Sequence, residues 1–157
     1  MNPYASQTTV PAERSRAEIE QLLRRYGADA FSSGWVEKQA RVQFRLKGRF
    51  VRFVLPMPDP HADAFRHTKT GRWRSPGQRS DRMAGQAYEQ AVRQRWRALC
   101  LVVKAKLEAV ESGITTFEEE FMPFIVMPDG KTVAEHALPA ISAAYESGQM
   151  PTLLPGW

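Results

Sequence analysis

Tyr88, Val92, Trp96, Leu99, Val103, Leu107 and Val110 recur in steps of three and four, so their side chains share one side of a 3.6-residue helix. A stripe about seven turns long has to be buried along its whole length, which calls for a second layer of matching extent. The spacing predicts a single helix over residues 86–112, closed by Gly113, since a glycine readily takes the left-handed conformation that follows a helix. Arg93 and Arg97 fall on the back of this helix, with Arg95 and Lys104 near its margins.

The second layer is legible upstream. Residues 40–46 and 49–55 alternate apolar and polar around Lys47-Gly48, and two residues ending in glycine suit a tight hairpin. Such a turn fixes the register: Leu46 faces Arg49, Arg45 faces Phe50, Phe44 faces Val51, Gln43 faces Arg52, Val42 faces Phe53 and Arg41 faces Val54. Val42, Phe44, Val51 and Phe53 then line the face expected to receive the long helix. Arg41, Gln43, Arg45, Phe50, Arg52 and Val54 line the other. Residues 30–36 are a third strand candidate, interrupted by Ser32, Ser33 and Gly34.

At 157 residues with 43% apolar content the chain can build one ordinary core and is short for two. Residues 1–14 lack periodicity and read as a flexible arm, and residues 15–157 as a single domain. Ser15 and Glu18 form an S-x-x-E pattern that predicts a first helix from Ser15, running through Ile19, Leu22, Leu23 and Tyr26 to Gly27. Pro56, Pro58 and Pro60 end the sheet and open a basic loop over residues 56–85, long for a connection inside a compact domain. Thr116 with Glu119, and Thr132 with Glu135, mark the starts of two further helices, the first curtailed by Pro123 and the second kinked at Pro139 before Gly148. Residues 124–127 suit a short buried strand, and residues 150–157 form an apolar, proline-rich tail. The expected fold is α+β: an N-terminal helix, a small antiparallel sheet of two or three strands, a long helix packed on one sheet face, and a C-terminal helical segment.

Charge is sorted along this framework. Residues 38–106 hold 17 of the 22 lysines and arginines but only Asp59, Asp63, Asp81 and Glu89 as acids, a net +13, against −1 for residues 1–37 and −7 for residues 107–157. Phe44, Phe50, Phe53, Phe65, Trp73 and Trp96 interleave with the basic block. Cations mixed with planar rings suit a surface that meets phosphates and stacks on bases. The expected nucleic-acid contacts are Arg41, Arg45, Phe50 and Arg52 on the hairpin, Lys69, Arg72, Trp73 and Arg74 in the loop, and Arg93 and Arg97 on the long helix.

Catalytic patterns are missing from the sequence. Glu118, Glu119 and Glu120 point about 100° apart on a helix and do not converge on one ion. His61, Asp63 and His67 have no companion cluster of Cys or His. Asp129-Gly130-Lys131-Thr132 carries the end of a phosphate-loop signature without its leading glycine, and reads as a turn followed by a helix cap. Cys100, the single cysteine, sits among Leu99, Leu101, Val102 and Val103, where a buried thiol is expected. No enzyme activity, metal or cofactor is expected. No apolar run approaches the roughly 20 residues that span a bilayer, and residues 1–10 lack the order of a signal peptide, so a cytoplasmic, membrane-free setting is expected.

The runs at residues 15–27 (SRAEIEQLLRRYG), 49–56 (RFVRFVLP), 93–99 (RQRWRAL) and 104–121 (KAKLEAVESGITTFEEEF) resemble a family of small proteins carried by bacteriophages and integrated mobile elements. The resemblance carries no established activity or binding residue. It implies a bacterial host cell and a setting rich in DNA transactions and in inhibition of host defence. The leading expectation is therefore a non-enzymatic DNA-binding accessory protein, with a single strand favoured over duplex. The rival is an anti-defence protein, for example an anti-CRISPR-type inhibitor, that binds a host nucleoprotein complex. A third reading is a homo-oligomeric scaffold joined through the apolar tail.

Overall fold

The computed structural model describes residues 5–67 and 79–150. In chain order they form α1 (Ala12–Arg25), β1 (Ala30–Val36), β2 (Gln39–Leu46), β3 (Arg49–Pro56), α2 (Asp63–Arg66), α3 (Asp81–Glu111), α4 (Phe117–Phe121), a single 3-10 turn (Met122–Phe124) and α5 (Val133–Ser147). The fold is α+β, with one antiparallel sheet in the order β1-β2-β3.

The hairpin register is the one the turn dictates, from Leu46 opposite Arg49 to Arg41 opposite Val54. Lys47 and Gly48 both take positive φ, 50° and 74°, which is the turn whose twist matches that of the strands. β1 pairs with β2 throughout, Phe31 opposite Phe44 and Ser33 opposite Val42. Ala40, Val42, Phe44, Leu46, Val51 and Phe53 are buried on the inner face against Trp96, Leu99, Cys100, Val103 and Leu107 of α3. The core closes around Phe121, whose ring lies edge-on to Phe44 at 6.1 Å and to Phe53 at 6.4 Å, and stacks on Phe117 at 5.0 Å.

α3 begins at Asp81, five residues before its expected start, because Ser80 caps it by accepting the Met83 N–H. Gly85 and Gln86 dilute the apolar period in that first turn and hide it from a pattern search. The helix also has company on its back: α1 packs against it, and Arg97 donates to Glu18 at 2.6 Å. The back expected to offer Arg93 and Arg97 to nucleic acid is thus partly an interhelical contact.

Two expectations at the N-terminus are corrected. α1 starts at Ala12, with Pro11 in the capping position and no side-chain cap. Ser15 already donates its N–H to the Pro11 carbonyl inside the helix and is fully buried, so it opens nothing. The segment expected as a loose arm is tied down where it is described, because the Gln90 side chain donates to the carbonyls of Ser6 and Thr8. At the other end Gly27, at φ 93°, closes α1 as its position suggests. It donates to the Arg24 carbonyl while Ala28 reaches back to Leu23, the paired bonds of a Schellman motif.

Both C-terminal capping boxes form: Glu119 N–H to Thr116 Oγ1 with Thr116 N–H to Glu119, and the same exchange between Glu135 and Thr132. The expected strand at residues 124–127 is reduced to single bridges, Ile125 to Val51 and Val126 to Thr132, after Pro123 has turned the chain through the 3-10 turn. Part of the expected loop over residues 56–85 is regular structure, α2 and the start of α3. Phe65 of α2 packs edge-on against Tyr88 at 5.9 Å. Among the described residues no helix is long and apolar enough to cross a membrane.

Candidate nucleic-acid interface

The outer face of the sheet collects the non-core residues of three strands. β1 contributes Ala30, Ser32, Gly34 and Val36, β2 contributes Gln39, Arg41, Gln43 and Arg45, and β3 contributes Phe50, Arg52 and Val54. Phe50 is 51% exposed and Val54, four residues further along β3, is exposed too, so an apolar ring and a valine stand in water among the arginines. The small residues of β1 leave a depression of about 110 Å³ beside the Phe50 ring, lined by Ala30, Ser32 and Gln43.

The three arginines of this face are in different states. The Arg45 guanidinium lies over the Phe50 ring at 5.6 Å and donates to Asp29 at 2.7 Å. That hydrogen bond holds the Asp29 carboxyl below its ordinary range and raises Arg45 in return. Both partners are substantially exposed, so the pair is of the kind that contributes little to stability and exchanges readily with other anions. Arg41 has no carboxylate partner among the described residues, and its Nε is buried without a hydrogen-bond partner. Gly34 sits opposite it and leaves open space on that side. The Arg52 side chain is 14% exposed, against 43% for Arg45. Its Nη2 donates to the Gly130 carbonyl at 2.8 Å and to Glu135 at 3.0 Å, which ties β3 to the turn before α5. Glu135 is held below its ordinary pKa by the Thr132 backbone N–H, then by the Thr132 hydroxyl, then by Arg52.

The remaining expected contacts are not brought to this face. Arg93 and Arg97 belong to the helical layer behind the sheet, where Arg93 pairs with Glu89 at 3.3 Å and Arg97 with Glu18. Arg93 borders a separate cleft of about 660 Å³ lined by Thr9, Pro11, Trp35, Tyr88 and Val92 among others. Lys69, Arg72, Trp73 and Arg74 lie outside the described residues. Among the described residues the mid-chain cations therefore do not form one patch: they are divided between the sheet face and the helices, and Arg45, Arg52, Arg93, Arg97 and Lys106 hold carboxylates.

The rings of the hairpin and of the long helix lie where the strand alternation and the helical stripe place them. Phe44, Phe53 and Trp96 are core residues and Phe65 packs on Tyr88. Of the rings described in that series, only Phe50 stands exposed on the sheet face. Trp35, 54% exposed near the end of β1, was not among the expected contacts. Its alternation with Phe31 and Ser33 assigns it to the inner side, where it borders the open cleft whose far wall includes Tyr88 and Val92 of α3, and the cleft leaves it partly uncovered. Burial pushes the Cys100 thiol up to about 11, in keeping with a packing role. Among the described residues no group of three or more His, Cys, Asp or Glu is arranged to hold a metal ion.

No known family, curated protein or solved structure matches this chain.

Proposed function

We propose that the chain is a non-enzymatic nucleic-acid-binding protein that takes a single strand, DNA in the first instance, across the outer face of its sheet. The observation that carries this reading is the grouping of Arg41, Arg45 and Phe50 on a solvent-open strand pair. Two guanidinium groups meet backbone phosphates there while the ring, with the depression beside it, accepts a base. Exchanging Asp29 for a phosphate on Arg45 costs little, because exposed ion pairs are worth about 0–1 kcal/mol. Arg52 adds its charge to the face from a fixed position.

With three cations engaged, log affinity against log salt should have a slope of about −2 on a single strand and about −3 on duplex. Fluorescence anisotropy of labelled oligonucleotides at several salt concentrations measures it. Arg41→Glu/Arg45→Glu should weaken binding by at least about tenfold and flatten the slope. A slope near zero, or a double variant that binds as wild type, rejects the reading.

The ion pairs on Arg45 and Arg52 favour a second reading, in which a charge-balanced face docks on a host nucleoprotein complex as an anti-defence protein would. It predicts little affinity for free DNA in the same titration.

A further inference from the structure

We propose that the chain forms a twofold dimer by antiparallel pairing of β1 with β1 of a second copy, with Ser33 on the axis. The inference does not depend on the nucleic-acid reading; it rests on which backbone groups β1 leaves unpaired. Leu46 and Arg49 close a two-residue turn and so form a hydrogen-bonded pair. In an antiparallel ladder such pairs alternate with non-bonded ones. Ala40, Val42, Phe44 and Leu46 therefore address β3, while Gln39, Arg41, Gln43 and Arg45 address β1. The Asp29 N–H donating to the Arg45 carbonyl agrees with that assignment. The β1 partners of those residues are Ala30, Ser32, Gly34 and Val36. What remains on the free edge is the N–H and C=O of Phe31, Ser33 and Trp35, and among the described residues none of these takes a partner outside the sheet.

This edge is self-complementary. Centred on Ser33, an antiparallel copy places Ser33 opposite Ser33 and Phe31 opposite Trp35 at both ends, and every one of the outward groups is bonded. A shift of the axis by one residue either way leaves at least one strand group without a partner. The same register sets Phe31 of each copy against Trp35 of the other, on the side where Trp35 is now exposed to water. Edge strands that stay single are ordinarily guarded by charge, proline, a bulge or a covering element. β1 reads AFSSGWV, with no charge and no proline, and pairs with β2 without a bulge. Within the strand's own sequence charges begin only beyond its ends, and the one cation among the described residues that reaches its middle, Arg16, donates to the Ser33 hydroxyl at 3.0 Å and leaves the edge N–H and C=O groups unbonded. Asp29 of one copy approaches Glu37 of the other, with Arg45 bound to Asp29 and Lys38 next to Glu37 as counter-charges. The product is one continuous six-stranded sheet that sets the outer faces of the two copies side by side.

Sedimentation equilibrium of the full chain over roughly a hundredfold range of concentration should reach twice the 17.8 kDa of one chain. Ser33→Pro removes no backbone bond within the subunit, because that N–H faces the free edge. It does remove the bond from Arg16 Nη2 to the Ser33 hydroxyl at 3.0 Å, which Ser33→Ala removes alone, so Ser33→Pro should weaken association about 30-fold relative to Ser33→Ala with an unchanged circular dichroism spectrum. The register has its own test in cysteine variants. Ser33→Cys brings two Cα atoms to about 5.5 Å across the axis, within disulfide reach, and should cross-link under mild oxidation. In Ser32→Cys the two lie about 8 Å apart, beyond that reach, and should not. Cys100, fully buried, does not compete. A chain that stays monomeric throughout, a dimer that Ser33→Pro leaves intact, or cross-linking of Ser32→Cys as fast as Ser33→Cys would each overturn the proposal.

Discussion

Replacing Arg52 by methionine separates the two roles that its position allows. Methionine keeps most of the aliphatic volume on β3 and removes the guanidinium that donates to the Gly130 carbonyl and to Glu135. A hydrogen bond from a charged donor contributes about 1.5 kcal/mol net, and an ion pair with a half-exposed carboxylate contributes about 0–1 kcal/mol. Gly130 and Glu135 are both exposed, so the freed acceptors return to water without an added burial cost, and Glu135 retains its bonds to Thr132. The loss should therefore be about 2 kcal/mol, or about 4–8 °C in Tm for a chain of this size. Urea and thermal unfolding at neutral pH measure it. A double-mutant cycle with Glu135→Gln should return a coupling of about 0.5–1 kcal/mol. Arg41→Met, which breaks no ion pair among the described residues, should cost under about 0.5 kcal/mol. If Arg52→Met lies within that same margin, or Arg41→Met costs as much, the assignment of Arg52 as the tie between β3 and α5 is wrong.

Phe121 is fully buried against three rings, so Phe121→Ala should cost about 3–5 kcal/mol, read as a urea midpoint far below wild type; a cost under about 1 kcal/mol would mean the core is not closed there. Acid should destabilise the fold in a defined window. Asp29, Glu119, Asp129 and Glu135 all have folded pKa values below their ordinary 3.8 or 4.5. Their contribution is complete above about 4.5 and is lost as pH falls through the lower folded values; unfolding free energies that rise between pH 5 and pH 3 would contradict these contacts. Cys100, with its pKa raised to about 11, should be roughly a thousandth ionised at pH 8 and should react with a thiol reagent only as fast as the protein unfolds. Rapid labelling of the native protein would show that α3 does not cover it.

The elements whose signal is carried by a few local residues were legible in the sequence. The Lys47-Gly48 turn fixes the β2–β3 register by itself, and the capping boxes at Thr116 and Thr132 mark helix starts through reciprocal bonds between residues three apart. Ser15 carried the same pattern and was misleading, because burial of Ala12 and Ser15 against the core carries the helix back past it to Pro11. The site was less legible than the fold. Net charge reports how many arginines a segment holds, whereas their availability depends on carboxylates distant in sequence: Asp29 for Arg45, Glu135 for Arg52 and Glu18 for Arg97. Helix periodicity put Arg97 on the back of α3 without revealing that α1 lies against it. The hairpin rings were easier to place, since the register set by Lys47-Gly48 already separates the exposed Phe50 from the buried Phe44 and Phe53.

The most direct test of the sheet face as the binding surface is an amide chemical-shift map of the isotopically labelled protein titrated with a short single-stranded DNA. Perturbations should concentrate on Arg41, Gln43, Arg45 and Phe50 and extend to Ser32 and Gly34, with the amides of Arg93 and Arg97 unmoved. Shifts confined to α3, or none at saturating DNA, would contradict it.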